Sequence, residues 1–451
     1  MALVYVAVIL MAGHIGLAEP GRKADIKQGR QLDVRKLVVE ISRSEYAQKL
    51  HGFWLAQSIG NWTGLITEMD KVGKSHDVDT GPFYTREDWG REDQPAIWDK
   101  EKPDRKIDFV LKEKGEVWGS DDDTDIEYMY QHLLHSHKTS LLTPEQIREG
   151  WLKHIRKDEE NYLWVSNEKA FHLMHEGLLP PQTGSPDRNP YVDMIDAQLS
   201  TEIFGFFAPS RPSEAILMAH LPIRTVARKN AAWISEFYVR MYSLASHPRY
   251  KRLGRRQSLV AMAKKSRAYL PKDSYAAKMF DYVLHLHSRD LPWELTRDLV
   301  NKRYQVEHKD DYDHSDKYAN GGFAAGINFA ASIISLLYGE GDLKETIKIG
   351  SLMGWDSDNP TATWAGLIGF MIGKEGVEIA FGKNISNRFN IHRTRRNFPV
   401  KDGIDTFEHM AEVGVQVVDR VVVELLGGTI DVKRDCWLIP LKKNYLSKVH
   451  R

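Results

Sequence analysis

Apolar side chains recur at steps of three and four along most of this chain. Ile126, Met129, Tyr130, Leu133 and Leu134 form one such set, and Trp364, Leu367, Ile368, Met371 and Ile372 another. That spacing gathers side chains onto one face of an α-helix. Residues 323–338, FAAGINFAASIISLLY, are apolar or small almost all round, which predicts a helix buried centrally and capped by Gly339. Gly366, Gly369 and Gly373 fall on a common stripe, where another helix or a ligand can approach closely. The Val-rich run 417–423 is ambiguous by propensity, but Glu412, Asp419, Arg420 and Glu424 are spaced for a helix stopping at Gly427 and Gly428. Residues 50–68, LHGFWLAQSIGNWTGLITE, predict a tightly packed helix with a small polar patch of Ser58, Gly60, Asn61 and Gly64, and Glu68 one turn on.

Two polar stretches rich in Trp, Pro and Asp, residues 71–117 and 178–191, interrupt this pattern and read as long loops over a helical body. Nothing has the composition of an interdomain linker, and no repeat of solenoid period is visible. The expectation is an all-α protein: a single domain over 19–451, its core over 35–430, with a loop insertion at 71–117. Residues 2–13 are uninterruptedly apolar or small and are followed by Gly16, Leu17 and Ala18, which put small residues, Gly16 and Ala18, at the two positions a signal peptidase reads. A secretory signal peptide over 1–18, and hence a secreted or periplasmic protein, is expected. No Lys or Arg precedes Arg22, so an uncleaved anchor, a misassigned start and a cytoplasmic location are the alternatives. The run is short for a membrane span, and none is expected after removal of the signal.

Composition narrows the chemistry. Of 451 residues, 42% are hydrophobic and 27% charged, enough to build a core. Basic and acidic residues both number 62, so no global field favours nucleic acid or an anionic membrane, and any charged ligand must be recognised locally. Cys436 is the one cysteine; it excludes an intramolecular disulfide and any cysteine-based metal cage.

Two acidic stretches each run into a predicted helix. The first is Gly119, Ser120, Asp121, Asp122, Asp123, Thr124 and Asp125. Asp and Ser cap helices well, and carboxylates in a first turn are favoured by the macrodipole. Three consecutive carboxylates nonetheless repel one another more than capping needs, and a divalent cation relieves that repulsion. The second is Gly354, Trp355, Asp356, Ser357, Asp358, Asn359 and Pro360. Alone it reads as a cap or turn, but carboxylates at i and i+2 with an amide behind them also present the hard oxygen donors of a Mg²⁺, Mn²⁺ or Ca²⁺ site. Two acidic helix starts in one helical protein make a binuclear site more plausible than either alone.

These pieces resemble the ADP-ribosylglycohydrolase family. Residues 56–68 are similar to its G-x-x-x-G-D-A-x-G-x-x-x-E pattern, with Asn61 in the place of Asp. Asp121, Asp122, Asp123 and Thr124 are similar to its T-D-D-T, and residues 354–359 to its G-G-D-T-D-T. Residues 167–191, 197–212 and 336–350 resemble segments of bacterial members. The resemblance implies an all-helical fold with two Mg²⁺ ions, or Mn²⁺, in a central cleft, where a glycosidic bond to ribose is hydrolysed. By position the metal ligands would be Asp121, Asp122, Asp123, Asp356, Asp358 and Asn359. Glu68 and Asp123 would be catalytic, and Asn61, Trp355 and Asn230 would touch substrate. ADP-ribosyl conjugates are the leading substrate class; a nucleoside or other glycoside met outside the cytoplasm, and a non-catalytic ligand-binding role, are the alternatives. A phosphotransferase with an aspartate nucleophile is disfavoured, because no β-α alternation is visible.

Three departures bear on the substrate. Residues 226–231, VARKNA, stand where bacterial members have T-H-x-G-N-G. Asp121 and Asn359 each replace a threonine. The insertion 71–117 either roofs the cleft with Phe83, Tyr84, Trp89 and Trp98 or lies as a surface loop. His132, His135, His137, His285 and His287 read as ordinary surface or core residues. Arg393, Thr394, Arg395 and Arg396 read as a solvated basic loop, or as a contact for a diphosphate.

Overall fold

Two long helices cross along a seam of glycines, and the other described helices pack around them. The structure is a computed structural model and describes residues 38–75, 78–96, 105–314 and 321–441. The expected signal segment 1–18 and Trp98 lie outside the described residues.

The first helix, Arg43–Gly64, starts at Ser42, whose Oγ accepts the Glu45 N–H at 3.2 Å. From Leu50 onward nearly every residue of it is buried, because its partner, the helix Asp358–Phe381, approaches at backbone distance. A Cβ on Gly52 would lie 2.5 Å from the Gly369 carbonyl oxygen, and one on Gly60 would lie 2.4 Å from that of Thr361. This is the close approach the glycine stripe predicts. Gly373 differs from its neighbours on the stripe: its φ of +69° breaks the helical geometry and kinks the second helix.

The central helix Ala325–Tyr338 is buried from Ala325 to Leu337, as its all-round apolar sequence requires, and ends at Gly339. The Val-rich run lies in the helix Phe407–Glu424, started by Thr406, whose side chain accepts the His409 N–H at 3.2 Å. Among the described residues no helix is long and apolar enough to cross a membrane. One hydrophobic cluster runs from Val39 to Ile439.

Among the described residues three small sheets supplement the helices, one of them only the two-residue hairpin pair Lys74–Ser75 and Val78–Asp79. Val38–Ser42 pairs antiparallel with Cys436–Pro440, which also pairs with Thr429–Asp431. Trp118–Gly119 runs parallel to Arg388–Asn390, which is antiparallel to Ile404–Thr406. Strands of two to five residues are too short to show a period in sequence. The sheet of Trp118–Gly119 matters for the site: it delivers Ser120 and Asp121 beside the segment that carries Arg393 and Arg395. Ser120 donates its N–H to the Asn390 carbonyl at 3.1 Å, and its Oγ lies 2.7 Å from that of Thr394.

The described part of the insertion 71–117 is pinned to the body. Tyr84 and Ile107 are buried, Phe83 packs 4.9 Å from the Trp355 ring, and Trp89 packs on Phe109, which in turn meets Phe381.

Candidate functional site

The first acidic helix spans Asp122–Ser136. Thr124 caps it locally, its Oγ1 accepting the Asp121 N–H at 3.0 Å. The Asp121 carboxylate accepts Asn61 Nδ2 at 2.9 Å and the Arg393 guanidinium at 3.1 Å.

The second acidic turn is held against the end of the first helix. Gly354 and Trp355 both have positive φ, +87° and +56°. The turn they make lets Trp355 donate to the Lys71 carbonyl at 2.8 Å and accept from the Met69 N–H at 2.7 Å. Ser357 Oγ donates to the Gly64 carbonyl at 2.9 Å. Glu68 is therefore fixed beside Asp356 by backbone on both sides of it.

These constraints bring five carboxylates together from three stretches of chain. Oxygens of Glu68, Asp356 and Asp358 lie within 4.8 Å of one another, and so do oxygens of Asp121, Asp122 and Asp358. Asp358 belongs to both groups. Glu68 and Asp122 are half-buried and the other three buried. Burial first, and then repulsion from neighbouring carboxylates, pushes Glu68, Asp122 and Asp356 well above the ordinary carboxylate range. Burial pushes Asp358 up to about 6, and its Oδ1 is buried and accepts no hydrogen bond. An all-oxygen, anionic set of this kind suits a hard divalent cation, which supplies the missing positive charge.

The carboxylates face a cleft of about 190 Å³, walled by Leu65, Val165, Ile195, Leu199 and Phe323, with Tyr162, Trp164, Asp196 and Arg393 around it. Arg393 is wedged between two rings, its Cζ 5.0 Å from the Trp62 centroid and 4.9 Å from that of Tyr162.

The other sequence candidates are placed differently. Asp123 is buried behind the first carboxylates and accepts Asn359 Nδ2 at 3.0 Å. The Asn359 oxygen in turn accepts from Gln198 at 3.2 Å, so this pair buttresses the two acidic helix starts against each other. Asn61 sits behind Asp121 as its donor. Trp355 is buried against Phe83, away from the cleft lining. Asn230 is not brought to the cleft; near the start of the helix Lys229–Leu244, its Oδ1 accepts the Ala276 N–H at 3.3 Å. Phe83, Tyr84 and Trp89 do not line the cleft either.

The solvated-loop reading of 393–396 is corrected by the structure. Arg395 is fully buried and forms an ion pair with the equally buried Asp125 at 3.0 Å, while Arg393 enters the cleft. Tyr162, Trp164 and Asp196 escaped sequence reading. Trp164 leaves a signal in retrospect, as a large aromatic beside the polar run 157–161 that remains 48% exposed. Asp196 lies in a run of mixed polarity between Asp193 and Gln198, and nothing local marks it.

No curated protein matches the chain in sequence. A solved structure described as an "ADP-ribosylglycohydrolase-related protein complex" is similar at 13% identity with a TM-score of 0.46, over 83% of this chain and 98% of that one. The family model for ADP-ribosylglycohydrolase matches residues 42–403. That span is well over half of the chain and contains Glu68 and both acidic motifs: the chain belongs to the ADP-ribosylglycohydrolase family.

Proposed function

We propose that this protein hydrolyses a glycosidic bond to ribose with two Mg²⁺ ions, or Mn²⁺, in the carboxylate cleft, and that ADP-ribosyl conjugates are its substrates. The observation that carries the reading is the sharing of Asp358 between two carboxylate groups, the arrangement a pair of adjacent cations needs. Glu68, Asp356 and Asp358 would hold one ion, and Asp121, Asp122 and Asp358 the other. When bound, the ions supply Lewis acidity toward the ribose hydroxyls and the attacking water.

The chain's own residues do the rest. The five carboxylates, when ionised, carry one negative charge more than two divalent cations neutralise, and that surplus would favour an oxocarbenium-like transition state over the neutral ground state. Leu65, Leu199 and Phe323 exclude bulk water from one side of the cleft. Tyr162 and the exposed Trp164 offer ring faces on which a purine stacks. Arg393, held by its two aromatic neighbours, offers its remaining N–H groups to a phosphate.

A second reading, hydrolysis of a nucleoside or another small glycoside, is favoured by the volume of the cleft, which is below the roughly 300 Å³ at which pockets for larger ligands begin. One assay separates the two. Purified protein with Mg²⁺ is offered ADP-ribosyl-serine, ADP-ribosyl-arginine and adenosine, and products are resolved by chromatography. Release of ADP-ribose supports the first reading; release of adenine alone replaces it with the second.

A further inference from the structure

One carboxyl group in the cleft is outside both candidate ligand groups. Asp196 follows Ile195, whose N–H donates to the Phe323 carbonyl at 3.0 Å, in a segment bridged to the start of the central helix through Met194 and Ala324. These two contacts hold it on the wall of the cleft. Its side chain is 4% exposed and lines the cleft. Oδ1 accepts the Asn167 N–H at 2.8 Å, which fixes the plane of the carboxyl. Oδ2 is buried and has no hydrogen-bond partner.

A buried carboxyl oxygen without a partner is costly unless it carries a proton or meets a ligand. We propose, resting on the glycosidic reading above, that Asp196 is the proton donor to the leaving group, delivering the proton from Oδ2 as the bond from ribose C1 to the leaving atom breaks. The electron pair of that bond goes to the leaving atom, which takes the Asp196 proton. Water oxygen bonds to C1, its own proton passes to a cleft carboxylate and from there to solvent, and Asp196 regains a proton from solvent. The net change is addition of one water across the bond.

The protonation state agrees with that role. Burial pushes the Asp196 carboxyl up to about 7, against hydrogen bonds from the backbone that favour the ionised form. The charged groups facing the same cleft are Glu68, Asp121, Asp122, Asp356, Asp358 and Arg393. A donor with a pKa near the working pH is the efficient case for general acid catalysis.

The test compares leaving groups. Wild type and Asp196→Asn, which keeps the Oδ1 acceptor, are assayed with Mg²⁺ on O-(ADP-ribosyl)-serine and on the 4-nitrophenyl glycoside of ADP-ribose. The serine alkoxide needs a proton to depart; nitrophenolate does not. The expected result is a loss of roughly 100-fold or more on the serine substrate, with the nitrophenyl substrate turned over at near wild-type rate. Equal loss on both, or no loss on either, overturns the assignment while leaving the glycosidic reading standing. Wild type inactive on both overturns that reading and the assignment with it. Should Asp196→Asn not fold, as judged by melting, Asp196→Ala is assayed on the same two substrates; loss confined to the serine substrate supports the assignment, and equal loss on both, or none on either, contradicts it.

Discussion

A Cβ placed on Gly64 would lie 2.4 Å from the Cα of Asp358, and 2.7 Å from the carbonyl oxygen of Ser357. Both obstacles are backbone, so no side-chain rotation relieves the clash. The contact is what seats the end of the first helix on the start of the second, and with it Glu68 against Asp356 and Asp358. Gly64→Ala is therefore expected to cost about 1–3 kcal/mol of stability through overpacking and to weaken the stabilisation given by added Mg²⁺. Melting curves with and without Mg²⁺ decide it: a variant that melts and responds as wild type does would show that this contact does not set the site.

The acidic motifs and the helices that start with them were legible in the sequence because both have local signatures: clustered carboxylates and apolar steps of three and four. The glycine stripe at 366 and 369 was legible for the same reason. What the sequence did not reveal depends on contacts between distant segments. Which arginine of 393–396 turns inward is decided by Asp125, some 270 residues earlier. The short strand Arg388–Asn390 exists because Trp118–Gly119 and Ile404–Thr406 flank it. Asn230 matched a family pattern in a stretch that had already diverged, and its amide serves the helix Tyr275–His287. Asp196 became visible only when the folded chain placed it on the cleft wall.

Breaking the buried Arg395–Asp125 pair should unfold the protein readily. Both side chains are fully buried, and Arg395 also donates to the carbonyls of Asn161 and Thr394. Arg395→Met leaves a buried carboxylate without a counter-charge, at a cost of about 3–5 kcal/mol. Urea unfolding of the single variant and of Arg395→Met with Asp125→Asn gives the check. The second change should recover part of the loss; if it adds to the loss instead, the two residues do not act as a charge pair.

Beneath the site a second carboxyl pair is buried. Glu127 accepts Gln57 Nε2 at 2.5 Å and the Ile203 N–H at 2.8 Å, while Glu202 accepts Thr363 Oγ1 at 3.0 Å. Burial raises both, Glu127 further through the nearby Glu202, and Glu202 stands at about 8 against an ordinary value of 4.5. In the folded state Glu202 therefore keeps its proton longer than in the unfolded chain, so its contribution to stability is full below pH 4.5 and is lost as pH rises through about 8. Glu202→Gln mimics the protonated form and does not titrate. Its stability relative to wild type should rise steadily between about pH 5 and 8 and level off above. A difference that stays flat across that range would show that no proton is held there.

Arg393 holds Asp121 by one guanidinium nitrogen at 3.1 Å while its plane packs between Trp62 and Tyr162. Lysine keeps the charge and loses the planar fork. Arg393→Lys should raise KM for ADP-ribosyl-serine roughly tenfold or more while changing kcat little, in keeping with a group that binds phosphate in ground and transition states alike. A fall in kcat with KM unchanged would move Arg393 from phosphate recognition to the chemistry at the sugar.

The central claim is that Asp358 joins two cation sites, and counting the ions tests it. Mn²⁺ bound per chain is measured by the loss of the free-ion paramagnetic resonance signal on titration of wild type and of Asp358→Asn. Wild type should take up two ions, because oxygens of Asp358 lie within 4.8 Å of both flanking carboxylate groups. In the variant both sites should weaken together, since each loses the same shared charge. Uptake of two ions by Asp358→Asn with unchanged affinity, or no uptake by wild type, would contradict the account.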